Sequence, residues 1–319
     1  MVRPPAAKVI KGADWISSHL PKLDIPPKLK KTTHKGTGID CPKTYWEFNI
    51  DRLERLFEHK VVKDALNKTY PDIDVERSHL LATEGDVERA ANLYLIRGVN
   101  FIFNAILDNL PLAPLARPKL RCSSQIANDD SRIDVIWKLF LPNAPNPVTV
   151  LIVEYKRCMA IKKSEWVVRT YDMADDITQD VLDLHIGDRK KEKLDEQALK
   201  IRKEDNQTFI ARQLTKYSEE FEAPIILAFD WRNLIMLDLY PDMKSFKDLQ
   251  NPAQIFISRE GSRKYPGSEW THRRTLLAGY IRALEKLNYL VPVPAPCQPP
   301  SDPNAGRVKH PRKVKQTPK

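Results

Sequence analysis

Along the chain, apolar positions fall into blocks of two different periods. Between residues 45 and 68, Phe48, Leu53, Leu56, Phe57, Val61 and Leu66 recur at helical spacing and predict a first helix. A second helix is predicted after Thr83, a residue suited to capping, with Glu84 and Asp86 in the first turn where the helix dipole favours acids. Its apolar positions continue through Ala90, Leu93, Leu95, Ile96 and Val99 towards Leu107, and Pro111, Pro114 and Pro118 then break the pattern. Residues 120–126, 132–140 and 148–155 predict strands, the last two rich in β-branched and aromatic side chains. The link LPNAPNP between those two is turn chemistry and predicts a hairpin. A helix follows over 208–221, with Phe209, Ile210, Leu214, Tyr217 and Phe221 as its apolar residues. Strands over 225–230 and 234–240 flank a short turn at Trp231–Asn233, and a last helix covers 269–287. This succession predicts one mixed α/β domain over residues 43–290.

Composition narrows the class. The chain has 319 residues, 42% of them hydrophobic, which excludes a wholly disordered chain and a small disulfide scaffold. Its four cysteines form no CxxC pair and argue against a zinc site or a disulfide framework. No apolar run approaches the ~18–20 residues of a membrane helix, and the N-terminus lacks a signal-peptide core, so an intracellular protein without a membrane partner is expected.

The net charge of +10 lies at the ends. Residues 41–300 hold 38 basic and 38 acidic side chains, so the body is neutral. Residues 1–43 hold six prolines and 291–319 eight, which predicts flexible basic arms over 1–42 and 291–319. The C-terminal run RVKHPRKVKQTPK suits phosphate contact or nuclear import, so a nuclear setting is among the expectations. Residues 160–208 form a charged insertion, read as a solvated helix or mobile segment.

The chemistry-bearing residues sit on the hairpin. Glu154 and Lys156 are two apart at the end of the apolar run VTVLIV, so both point to one sheet face. Such a pair is costly there unless paired, solvated or bound to metal. Asp134 comes from the adjoining strand. Two carboxylates and a backbone carbonyl make an oxygen-rich site suited to Mg²⁺ or Mn²⁺, and a lysine beside them could orient or deprotonate a water.

Asp134 followed by Glu154-x-Lys156 on the next strand resembles the signature of the PD-(D/E)XK nuclease superfamily, the restriction-endonuclease-like fold. Gln213-Leu214-Thr215-Lys216-Tyr217 resembles the Gln-hydrophobic-x-x-Tyr motif of its RecB-like branch, followed by the strand APIILAFDW. The strings EYKR and LAFDW are also similar to those of fungal proteins of this superfamily. The resemblance covers residues 80–240 and implies an αβββαβ core. It implies Asp134, Glu154 and the Tyr155 carbonyl as metal ligands, with Glu88, chosen over Glu84, as a further acid from the first core helix. It also implies Lys156 as the catalytic lysine, with Gln213 and Tyr217 supporting. The implied activity is Mg²⁺- or Mn²⁺-dependent phosphodiester hydrolysis, with DNA as partner. Two departures stand out. Ile133 replaces the proline expected before the first acid, and 56 residues separate Lys156 from Gln213.

The same residues carry plainer readings. Glu-x-Lys is an ordinary strand ion pair, and Gln213 and Tyr217 could simply pack on the sheet. Trp137, Trp166, Trp231 and Trp270 read as core or edge aromatics, and His185 and His272 as surface or packing residues. Asp129 and Asp130 read as turn acids close enough to rival Asp134. A non-catalytic interaction or nucleic-acid-binding module on the same fold is the alternative function.

Overall fold

The computed structural model describes residues 9–23, 45–71, 80–128, 131–142, 144–162, 166, 168–169, 206–239, 253–259 and 270–292. It is mixed α/β, a mostly antiparallel sheet with helices packed on both faces. A small ribbon pairs β1 (Val9–Lys11) with β3 (Thr69–Pro71). The main sheet comprises β2 (Tyr45–Glu47), β4 (Lys119–Asn128), β5 (Ser131–Phe140), β6 (Val148–Tyr155), β7 (Val168–Arg169), β8 (Ile225–Phe229), β9 (Asn233–Asp238) and β10 (Gln254–Arg259). Their order is β4-β5-β6-β8-β9-β10-β2-β7. Within the six longer strands only β6 and β8 run parallel.

That parallel step needs a crossover, and α5 (Asn206–Glu220) supplies its helix. The remaining helices are α1 (Gly12–Ser17), α2 (Ile50–Arg55), α3 (Lys60–Leu66), α4 (Glu84–Asp108) and α6 (His272–Lys286). Thr83 and Asp86 form a reciprocal capping box that starts α4, satisfying donors the first turn leaves free.

Alternation along the strands sorts side chains to two cores. Val135, Trp137, Leu151, Val153, Leu227 and Met236 pack with α4 and with Leu277, Tyr280, Ile281 and Leu284 of α6. Ile136, Ile152, Ile226, Ala228 and Ile235 pack with Ile210, Ala211, Leu214 and Tyr217 of α5. Burying each such aliphatic side chain stabilises by roughly 1.5–3 kcal/mol. Trp137, Trp166, Trp231 and Trp270 are all buried, and His272 is buried with Nδ1 2.8 Å from Ser258 Oγ.

Several expectations are corrected. The single helix over 45–68 is instead β2, α2, a 3₁₀ turn at Leu56–Glu58 and α3. Tyr45–Glu47 is taken by parallel pairing with β10, and the Asn49 side chain restarts the chain as a helix by accepting from Asp51 N and Arg52 N. His59, extended at ψ 129°, separates the two halves. Strand β10 was not anticipated, although QIFISR alternates as a strand should.

The N-terminal arm is not wholly free. Trp15, Ile16 and Leu20 are buried in the larger core, and Arg273 of α6 reaches into this segment. Arg273 donates to the Trp15 carbonyl (3.2 Å) and twice to the Tyr94 carbonyl (2.9 and 3.2 Å), with its guanidinium 4.2 Å from the Trp15 ring. Tyr94 lies in a π-helical turn, Asn92–Ile96, within α4. A Cβ on Gly98 would fall 2.2 Å from the Trp15 ring, so glycine is what admits Trp15 against α4.

Contrary to expectation, α4 contains an 18-residue stretch long and apolar enough to cross a membrane by length and composition. Of that stretch 67% is buried inside the protein, as in the core helix of a globular fold. The charged middle of the 160–208 insertion, with His185, lies outside the described residues, as do Asp129, Asp130 and 293–319.

Candidate functional site

The site forms where β5 begins and β6 ends, beside α5. β5 and β6 are in register at Val135–Val153, so Asp134 and Glu154, one step further, face each other across the pair. Lys156 lies two residues beyond Glu154 and keeps its place because its N–H bonds the Phe229 carbonyl of β8 (2.8 Å). All three side chains therefore project from the α5 face of the sheet.

Distances bring the sequence-predicted residues into one network. Lys156 Nζ donates to Glu154 Oε1 at 2.7 Å. Gln213 Nε2 donates to the same Oε1 at 2.7 Å and to the Tyr217 hydroxyl at 2.7 Å. The Tyr217 hydroxyl in turn donates to the Arg132 carbonyl at 2.9 Å. Gln213 and Tyr217 are four apart on α5, one above the other, which is what lets a single amide serve both partners. Asp134 Oδ2 accepts from the Tyr155 backbone N–H at 2.7 Å, binding the first acid to the strand that carries the second.

The network leaves capacity unused. Glu154 and Lys156 are each 4% exposed, so bulk water does little to compensate their charges. Glu154 Oε2 is buried with no hydrogen-bond partner. Of the three Lys156 protons, the structure gives an acceptor to one.

Acids crowd this point. Burial pushes the Asp134 carboxyl up to about 6; the Tyr155 N–H and Lys156 oppose the rise, and Glu84 and Glu88 of α4 add to it. Burial also raises Glu154, with Lys156 pulling it back and Asp134 and Glu84 pushing it further up. Burial and the nearby Glu154 raise Tyr217 well above the ordinary phenol. An unpartnered buried carboxylate oxygen among other carboxylates and one ammonium is a donor set that a hard divalent cation fits. The side chains that could hold such an ion are Asp134 and Glu154, which face each other across the strand pair. Among the described residues no three His, Cys, Asp or Glu side chains gather into a metal cage by themselves.

Some contributors were not singled out in the sequence. The charge of Glu84, the acid not preferred from the sequence, reaches both Asp134 and Glu154; that of Glu88 reaches Asp134 alone, and its carboxylate takes the Gln125 amide (3.1 and 3.3 Å). Asp230, fully buried at the end of β8, accepts from Ile161 N (2.7 Å), Arg232 N (3.0 Å) and Asn233 N (2.7 Å). Those bonds pin the loop that follows Lys156 onto the β8–β9 turn. The usable signal was an aspartate opening the turn DWRN, since such side chains bond backbone N–H groups two and three residues on. Asn92 Oδ1 accepts from the Tyr155 hydroxyl at 3.2 Å, and nothing in sequence spacing marks it.

In class, this is a mixed α/β domain with a buried acid–lysine–amide site at one end of its sheet. No family model, curated protein or solved structure matches the chain.

Proposed function

We propose that the protein is a metal-dependent phosphodiesterase acting on nucleic acid, DNA first, built on a restriction-endonuclease-like core. The observation that carries the reading is Glu154: buried, its Oε1 shared by Lys156 and Gln213, its Oε2 without a partner, and Asp134 facing it across the strand pair. The order α4, β4-β5-β6, α5, β8, with β6 and β8 parallel, supports the αβββαβ core of that class.

On this reading Asp134, Glu154 and the Tyr155 carbonyl would hold Mg²⁺ or Mn²⁺. Such an ion, when bound, stabilises charge on the phosphate. Lys156 uses its free protons to orient the attacking water and to neutralise a phosphate oxygen. Gln213 fixes the Glu154 carboxylate from the other side, and Tyr217, anchored on the Arg132 carbonyl, keeps Gln213 from turning away. The basic ends, 1–42 and 301–319, add salt-sensitive, sequence-independent affinity, and the C-terminal run fits a nuclear location.

Purified protein with Mg²⁺ or Mn²⁺ is expected to cleave single- or double-stranded DNA. Lys156→Ala should slow cleavage by roughly 10²–10⁴-fold with an unchanged circular dichroism spectrum. No cleavage of either substrate with either metal, together with no Mn²⁺ uptake in calorimetry, would overturn the reading. The second reading, a non-catalytic module, is favoured by one feature: the chain Lys156–Glu154–Gln213–Tyr217–Arg132 also ties α5 to the sheet and would be kept for that alone. The same assay separates the two.

A further inference from the structure

We infer that the open face of β4 and β5 is the surface on which the DNA backbone docks, with Lys119, Arg121 and Lys138 as its phosphate-binding residues. This deepens the functional reading above and rests on it.

Register puts the three cations on one surface. Leu120 pairs with Leu139 and Cys122 with Trp137, and Leu139 and Trp137 are packed in the α4–α6 core. The neighbouring positions therefore point the other way, to the face that carries Glu154 and Lys156. They are Lys119, opposite Phe140, and Arg121, opposite Lys138. Lys138 stands four residues along β5 from Asp134, on the same face and ~13 Å away at ~3.3 Å per residue. Lys119 and Arg121 are exposed and Lys138 is half-buried. A strand of nucleic acid lying across them leads to the acid–lysine site.

Folding does not ask for these charges. Arg121 and Lys138 are directly opposite each other, where like charges repel. Among the described residues no carboxylate pairs with Lys119, Arg121 or Lys138. Strands β4, β5 and β6 contain two acids, Asp134 and Glu154, and both belong to the site. Guarding the sheet edge, an ordinary use of charge on an outer strand, accounts for Lys119 and Arg121 on β4. It does not account for Lys138, since β5 is paired on both sides. Arg121 is also held in place, its guanidinium 4.4 Å from the Phe140 ring, which fixes the donors without neutralising the charge. Unpaired cations kept together against their own repulsion fit a polyanion, and their position beside the site makes that polyanion the substrate.

The test is DNA binding by the full chain, read as fluorescence anisotropy of a labelled oligonucleotide in EDTA so that nothing is cleaved. Affinity falls with salt in proportion to the phosphates neutralised. Arg121→Gln and Lys138→Gln should each weaken binding alike on every sequence and lower the salt slope by about 1. The triple variant Lys119→Gln/Arg121→Gln/Lys138→Gln should lower it by about 2–3, with both basic ends present in every sample. Lys138→Gln should melt no lower than the wild type, because it relieves the repulsion with Arg121, and this separates lost binding from misfolding. Lys60→Gln removes one exposed charge from α3, which packs in the α4–α6 core, and should leave the slope unchanged. In the cleavage assay the DNA concentration for half-maximal rate should rise in the triple variant in step with the lost affinity. An unchanged slope in the triple variant, from a wild type that binds and cleaves DNA, would overturn the inference and leave the functional reading standing. A wild type that binds DNA through these residues without cleaving it in Mg²⁺ or Mn²⁺ would overturn the catalytic reading and uphold the docking face. No DNA binding by the wild type would overturn both.

Discussion

The Asp134 carboxyl accepts one backbone N–H and feels the charge of the Lys156 ammonium while two further acids repel it, and burial sets the outcome. It is harder to ionise in the folded chain, near pH 6, than in the unfolded one, near pH 4. The stability this contributes is therefore complete below about pH 4 and lost as the pH rises through about 6. Glu154, raised in the same direction, adds to the loss. In metal-free protein the melting temperature should decline across that window, by the equivalent of about 2 kcal/mol for Asp134 after allowing for its partial exposure. Asp134→Asn should flatten the decline, and Mn²⁺ should raise the wild-type melting temperature at pH 7.5 more than that of the variant. Thermal melts at a series of pH values check both. Tyr217→Phe isolates another link. It leaves the Arg132 carbonyl and one Gln213 proton without their partner, so a loss of about 1–2 kcal/mol in urea unfolding is expected.

Among the elements, α4 carries three separate duties. Its capped start carries Glu84 and Glu88, whose charges reach Asp134, its π turn offers the Tyr94 carbonyl to Arg273, and its middle presents Gly98 to Trp15. Gly98→Ala should gain helix propensity yet destabilise by about 1–3 kcal/mol, because the new methyl meets the Trp15 ring. Calorimetric melting of the variant tests this, and unchanged stability would mean Trp15 can leave α4 freely. The elements differ in how far the sequence reveals them. Strands β5 and β6 and helix α5 could be read because burial on a known face imposes period 2 or 3.6, and the same faces aim Asp134, Glu154, Lys156, Gln213 and Tyr217 inward. The stretch 45–68 misled because its apolar spacing is helical while a distant strand, β10, claims its first residues. Gln125 and Asn92 were not legible at all, since a positive φ and a π turn leave no mark in apolar spacing.

For the whole molecule, the two faces of the sheet have different roles. The α5 face carries the site, and the α4–α6 face carries the larger core and receives the N-terminal segment. Arg273 joins Trp15 and Tyr94 across that face, linking residues 258 and 179 positions apart. Arg273→Met should keep the bulk of the side chain and lose the bonds to both carbonyls, lowering stability by about 2–3 kcal/mol. Hydrogen exchange should then rise first at residues 9–23, and uniform exchange along the chain would contradict this. The clasp also has a consequence in time. A ribosome delivers Trp15 long before Arg273, so residues 9–23 wait for α6, with Trp15, Ile16 and Leu20 lacking their final cover until that helix emerges. Contacts this distant in sequence slow folding, so the closing step belongs late on the folding path and depends on α6 having left the exit tunnel.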